Sequence, residues 1–290
     1  FRTFDEHKTT YATIYNNVLQ TNKATSKARN YDSVLESYLY NDNIPTKVFT
    51  NLIEVAGKYN KSLKKYIRLR KKYLGLKQYH TYDRFLELAH SNKEYTYEEA
   101  KELFFNSISQ FPQDFQDKAH EVLKDGFVDV MEKVGKRTGA YSSSVANLHP
   151  FILLNFDNTL DSVFTVAHEA GHSIHSMYAT QTQPTMLQDY TIFVAEIAST
   201  FNEHTLLDYF LSLPDATKEE KIMVIQKAID EIMGTFYRQT LFAEYEYLAN
   251  NEVAKGNPIN HQVLSQIMID LYKKYYGLDI TKEGVKQYVW

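Results

Sequence analysis

Residues 163–178, VFTVAHEAGHSIHSMY, place three histidines and a glutamate within eight positions of an otherwise apolar stretch. His168 and His172 stand four apart, with Glu169 directly after the first, in the pattern H-E-x-x-H. On a helix, positions i and i+4 lie almost one above the other, so two imidazoles can converge on one cation. Glu169 lies about 100° round the helix from His168, so its carboxylate can reach a water on that cation without taking a ligand position. Zinc suits this pattern, because it lowers the pKa of water toward neutrality while a glutamate takes the proton as the water attacks a carbonyl. The competing reading is a pair of core histidines that fell at this spacing. Val163, Phe164, Val166 and Ala167 weigh against it: burying two imidazoles in such surroundings costs free energy unless something binds them.

His175 shares the face, but the rise from His168 is about 10 Å, too long for both to hold one ion. It reads as a packing histidine or one that supports a ligand. The longer pattern H-E-x-x-H-x-x-G-x-x-H is excluded, since His175 and Tyr178 occupy the positions where it needs glycine and histidine. A third ligand is then expected from a following helix, TIFVAEIASTFNEHTLLDYF (191–210). There Glu196 sits among Phe193, Val194, Ala195, Ile197 and Ala198, and a carboxylate in such a run needs a cation or a hydrogen-bond partner. A buried salt bridge is the alternative. Glu203, two turns on, is a candidate partner for a ligand histidine. His168, His172, Glu196 and a water suit one zinc ion per chain by ligand type and open position.

These residues need elements to hold them. With 290 residues, 43% hydrophobic and 23% charged, the chain can bury a sizeable core, and disordered or collagen-like classes fall away. Proline and glycine number 6 and 10, and the apolar period is helical nearly throughout. One helix is expected from Pro45-Thr46 to Gly75. The patterns TYEE (96–99) and TKEE (217–220) predict capping boxes. The second opens a long helix toward Asn251, stopped near KGNP, and NHQVLSQIMIDLYKKYYG is a last helix with Gly277 past its end. Glycines, a serine cluster and Pro150 break the period at 134–156, where GAYSSSV and FILLNF are the strand candidates. The expected fold is mainly α, a helical zincin-like core with a small sheet next to the active-site helix. It is read as one region over 1–290, with 1–133 helical, 134–156 the sheet and 157–290 the metal-site helices.

A net charge of −4 offers no basic stripe for nucleic acid. The most basic stretch, KSLKKYIRLRKK (61–72), reads as the solvated face of a long helix. The chain has no cysteine, which excludes disulfides and thiolate metal sites and fits a reducing compartment. No run reaches the roughly 18 apolar residues of a membrane span. The opening FRTFDEHKTT is not a signal peptide and lacks a starting methionine, and KQYVW stops without a polar tail. Both ends read as cut from something longer. Oligomeric state is not legible.

HEAGHSIHS, then FVAEIAST with its glutamate 28 residues after the first histidine, together with GKRTGAYSSS and HPFILLNF upstream, resemble the M3 family of zinc oligopeptidases, in particular its oligoendopeptidase F branch. The resemblance implies His168, His172 and Glu196 as zinc ligands and Glu169 as general base. It implies a helical body split by a deep channel, short unfolded peptides as substrates and a cytoplasmic location. It also implies that the strand near Gly139, Ala140 and Tyr141 pairs with substrate backbone. Members of the family run to roughly twice this length, with a further helical lobe upstream and a C-terminal segment that supplies a histidine and tyrosines to the oxyanion. That segment should begin where this chain reaches Trp290, and losing one such donor costs about 10²–10³ in rate. Two rival readings are a helical module with a structural or vestigial metal site, and a peptide-binding scaffold with no metal.

Overall fold

The structure, a computed structural model, describes residues 2–90, 92–145 and 148–284. It is mainly helical with one small sheet, as expected. The helices are α1 (Arg2–Glu6), α2 (Lys8–Ala28), α3 (Val34–Leu39), α4 (Thr46–Lys58), α5 (Lys61–Tyr73), α6 (Tyr97–Ser107), α7 (Gln113–Val122), α8 (Leu160–Thr182), α9 (Ile192–Ser212), α10 (Lys218–Glu231), α11 (Arg238–Lys255) and α12 (His261–Tyr276). No helix among the described residues is long and apolar enough to cross a membrane. Where the sequence reading takes 1–290 as one region, the chain forms two compact units. One comprises Phe1–Leu88 with Ile229–Trp290, the other Ala89–Ala228.

The second unit is built around α8. Asp157 starts this helix by accepting from the Thr159 N–H and from the hydroxyls of Thr159 and Ser162, while Thr159 accepts from the Ser162 N–H. That satisfies donors a helix start leaves unpaired. The helix ends at Thr182 because Pro184 forces Gln183 into extended backbone. Val163, Phe164, Val166, Ala167 and Ala170 are buried with Phe104, Leu154, Leu206 and Phe210 in one core. The Thr96–Glu99 and Thr217–Glu220 capping boxes form as the local pattern predicts.

The sheet has three strands, one more than expected. Strands β2 (Tyr141–Ser143) and β3 (Phe151–Phe156) fall on the predicted segments, and β1 (Val128–Met131) lies ahead of them in what reads as the helical part. The order is β1-β3-β2, with β1 parallel and β2 antiparallel to the central strand. β1 escapes a sequence reading because four residues carry too few alternations to register as a period. As an edge strand, β2 leaves one side of its backbone outside the ladder.

In the first unit, Leu19, Tyr245, Leu264, Met268 and Tyr275 form one core, and Leu63, Tyr66, Ile67, Tyr79 and Met233 a second. Two expectations are corrected here. The helix over 45–75 is two helices, broken at Tyr59-Asn60. The Asn60 amide donates to the carbonyls of Gly57 and Lys274 at 3.0 and 2.8 Å, giving the backbone an alternative to continuing the helix. In the basic stretch Leu63, Tyr66 and Ile67 are buried, and its charged side chains are exposed or half-buried except Arg70, which is fully buried. Its Nη1 donates to the Tyr66 hydroxyl, and its Nη2 to the carbonyls of Asp83, Arg84 and Leu86. Further along, α10 passes through a π-helical turn at Ile232–Tyr237 before α11, which ends at Lys255 with Gly256 left-handed. The last helix closes with Gly277 at φ 69°.

Candidate metal centre

Successive turns of α8 carry His168 and His172, and their Nε2 atoms lie 3.2 Å apart. The second helix of the pair, α9, brings Glu196 Oε2 to 3.4 Å from each. The three donor atoms thus form a nearly equilateral triangle. Tetrahedral zinc with bonds of about 2.0–2.1 Å keeps its ligand atoms roughly 3.3 Å apart, so this triangle fits one face of such a site. Among the described residues, no fourth histidine, aspartate or glutamate joins these three.

Each donor is oriented from behind. Glu203 Oε1 accepts from or pairs with His168 Nδ1 at 3.0 Å, and the Ala195 carbonyl hydrogen-bonds the His172 ring. Ser199 Oγ donates to Glu196 Oε2 at 2.7 Å. Burial works against the charged form of His168, but the hydrogen bond and charge of Glu203, with Glu169 and Glu196, outweigh it and raise the pKa. For His172 burial prevails and lowers the pKa, with His168 adding to it.

Glu169 is buried, at 5% exposure. Burial pushes its pKa up to about 7, helped by Glu196 and Glu203 and opposed by His168 and the Ser142 N–H. Its Oε2 has no hydrogen-bond partner among the described residues, a buried acceptor near the three donors. Ser142 lies on β2, and its hydroxyl meets that of Ser173 on α8 at 2.8 Å. This contact ties the edge strand to the helix.

The surroundings of Glu196 differ from the expectation. Its side chain is 63% exposed, and Ile192, Phe193 and Ile197 beside it are exposed as well. Half of the apolar run lies on the outside of α9's first turns, with Val194, Ala195 and Ala198 half-buried, so burial does not explain the exposed carboxylate; its nearness to the two imidazoles does. His175 stacks on Tyr190, ring centroids 3.8 Å apart, and its Nδ1 is buried without a partner. Of the substrate-strand candidates, Gly139 has φ 84° and accepts from Asn155 Nδ2 through its carbonyl. Ala140 is partly buried and Tyr141 opens β2.

Several residues that position the site were missed. A Cβ on Gly171 would stand 2.8 Å from the Ala198 carbonyl oxygen and the Ser199 Cα, so only glycine lets α9 approach this closely. Asn202 Nδ2 donates to the Ala167 carbonyl across the same interface. A glycine inside a helical pattern signals close packing, and that signal was available for Gly171. Ser199, Asn202, Ser142 and Ser173 carry no comparable mark.

The profile of peptidase family M3 matches residues 2–289. The chain is 36% identical over 278 residues to oligopeptidase PepF of Bacillus subtilis, covering 96% of this chain and 41% of that protein. It is 33% identical over 290 residues to the chromosomal oligoendopeptidase F of Lactococcus lactis subsp. cremoris, covering 100% and 48%. The chain therefore spans less than half the length of these two relatives. Oligoendopeptidase F from Enterococcus faecium superposes with a TM-score of 0.68 at 28% identity, covering 96% of this chain and 42% of that one. A Chlamydophila abortus crystal structure does so with 0.84 at 36%, covering 98% and 51%. With the H-E-x-x-H helix, the facing glutamate and a family match along nearly its whole length, this chain belongs to peptidase family M3.

Proposed function

We propose that this chain carries the catalytic core of a zinc-dependent endopeptidase that hydrolyses short unfolded peptides. The observation that carries the reading is the triangle of His168, His172 and Glu196 donor atoms, 3.2–3.4 Å on a side, with the unpartnered Glu169 Oε2 buried next to it. A structural zinc site closes its fourth position with a protein ligand. The absence of a fourth such side chain among the described residues favours an open, catalytic site. The relatives' names, oligopeptidase and oligoendopeptidase F, supply the substrate class, and a cytoplasmic place of action rests on the same likeness.

His168, His172 and Glu196 would hold the ion, and Glu203 would orient His168. When bound, zinc supplies Lewis acidity toward water and a peptide carbonyl. Glu169 takes the proton of the attacking water and passes it to the leaving amine, its carboxylate held by the Ser142 N–H. The edge of β2 at Tyr141 offers backbone groups to an extended peptide.

The test is zinc per chain after dialysis, read beside cleavage of a quenched fluorescent peptide by the full protein. One zinc per chain is expected, falling to near zero in His168→Ala together with cleavage. Full zinc occupancy in that variant would mean the ligand set is wrong, and no zinc in the unaltered protein would leave a helical binding module.

A further inference from the structure

The first unit contains a cavity of about 440 Å³, within the range of small-molecule sites. It lies away from the H-E-x-x-H helix in the chain and shares no residue with the metal centre. Arg84, Arg238 and Asp230 are its charged lining residues, and Tyr79, Tyr272 and Tyr276 dominate the rest. The remaining wall is mostly apolar, aliphatic at Ile67, Met233 and Leu278 and aromatic at Tyr82 and Phe85. The arginines are the anomaly. Neither makes an ion pair or side-chain hydrogen bond among the described residues, although Arg70 nearby finds four oxygen acceptors. Among the described residues the one lining carboxylate, Asp230, is shared with Tyr66, whose hydroxyl lies 3.3 Å away, and with Arg70 at 3.8 Å.

Both guanidiniums are preorganised. Arg84 lies over the Phe85 ring at 4.3 Å, and Arg238 over that of Phe242 at 5.4 Å. Stacking of this kind fixes the plane of the fork and leaves its N–H donors directed outward. Burial depresses the Arg84 pKa and the Arg238 charge depresses it further. The two charges repel each other, and Tyr272, Tyr276 and Asp230 offset this only in part. Tyr79 is 7% exposed, and its buried hydroxyl meets Arg70 without a well-formed hydrogen bond among the described residues. Groups left in this state cost free energy that a bound acceptor would recover.

We propose that this cavity binds a small organic anion, its phosphate or carboxylate head met by Arg84 and Arg238 and its aromatic or aliphatic body packed on the tyrosines. Paired guanidiniums match the geometry of either head group, whereas a neutral ligand would leave them uncompensated. The apolar wall excludes a bare inorganic ion as the best fit.

Calorimetric titration of the full protein with phenyl phosphate, phenylacetate, inorganic phosphate and benzyl alcohol tests this. At least one of the two aromatic anions should bind at one per chain, more tightly than inorganic phosphate, while benzyl alcohol does not bind. Arg84→Met and Arg238→Met should each weaken that binding about 10–100-fold, the range for losing a charge-assisted hydrogen-bonding partner. Should either fail to fold, Arg84→Lys and Arg238→Lys keep the charge but lose the fork, and a smaller loss is expected. Because a metal ion also attracts such anions, the same titration on His168→Ala separates the sites, and binding there should be unchanged. Failure of both aromatic anions at millimolar concentration, indifference to both arginine positions, or loss in His168→Ala would each overturn the proposal.

Discussion

The two helices that meet at the candidate metal centre hold the proposed donors in different ways. On α8, the segment around His168 and His172 is packed from end to end, and Glu169 between them is buried. On α9, the first turns are more open: Glu196 is largely exposed, as are Ile192, Phe193 and Ile197. Core packing that fixes the backbone therefore sets the imidazoles. The carboxylate relies on one hydroxyl, Ser199, and on how closely α9 approaches α8 at Gly171. The accuracy of a mixed ligand set rests on its less buried member.

The largest expected effect isolates the buried side of this contrast. Glu169→Gln should keep zinc and lower turnover about 10²–10⁴-fold, the usual contribution of a general acid–base group. Loss of zinc in that variant would show that Glu169 belongs to the ligand set. Gly171→Ala attacks the interface itself. Its Cβ meets backbone atoms, so α9 must shift and carry Glu196 with it. Zinc affinity, measured by competition with a chelator, should fall at least ten- to a hundredfold, the range for disturbing the groups that orient ligands.

Replacing the residues behind the donors should sharpen the comparison. Glu203→Ala is expected to weaken zinc binding about 10–100-fold by releasing the His168 ring. Ser199→Ala should cost about tenfold, near the low end, because one neutral hydroxyl is lost. If Ser199→Ala were the more damaging, the open helix would depend on that single contact more than on packing at Gly171.

The smallest effect concerns stability and pH in metal-stripped protein. Folded Glu169 titrates near 7, against an ordinary value of 4.5. Between those values the folded state binds more protons than the unfolded one, so stability falls as pH rises through this window and levels off above it. Glu169→Gln should remove that fall. Denaturant unfolding at about pH 5 and pH 8 would compare the two slopes, and equal slopes would refute the burial-driven shift.

How much was legible follows from how local each signal is. The capping boxes at Thr96 and Thr217 are written in four consecutive residues. The H-E-x-x-H face follows from helical geometry alone. Glu196 was named from its apolar neighbours, yet Phe193 and Ile197 are exposed and Val194, Ala195 and Ala198 only half-buried; the residue was selected on a premise the fold shares only in part. Arg70 sits in a run of lysines and arginines that reads as solvated. The carbonyls of residues 83, 84 and 86 folding back over it, with the Tyr66 hydroxyl and Asp230, make a buried position tolerable there.

From its sequence alone, this chain determined a mainly helical fold, the placement of two imidazoles and a carboxylate on one helix, and membership of a recognisable family, because these depend on spacing within short segments. The separation of α8 from α9, and with it the meeting of Glu196 with the histidines, was decided by tertiary packing at a glycine. So were the seating of Glu169 against Ser142 on a strand edge and the gathering of Arg84, Asp230 and Arg238 around one cavity. Helical period repeats every 3.6 residues and can be read along a chain. The distance between two helices depends on which side chains interlock across them, and no local pattern records it.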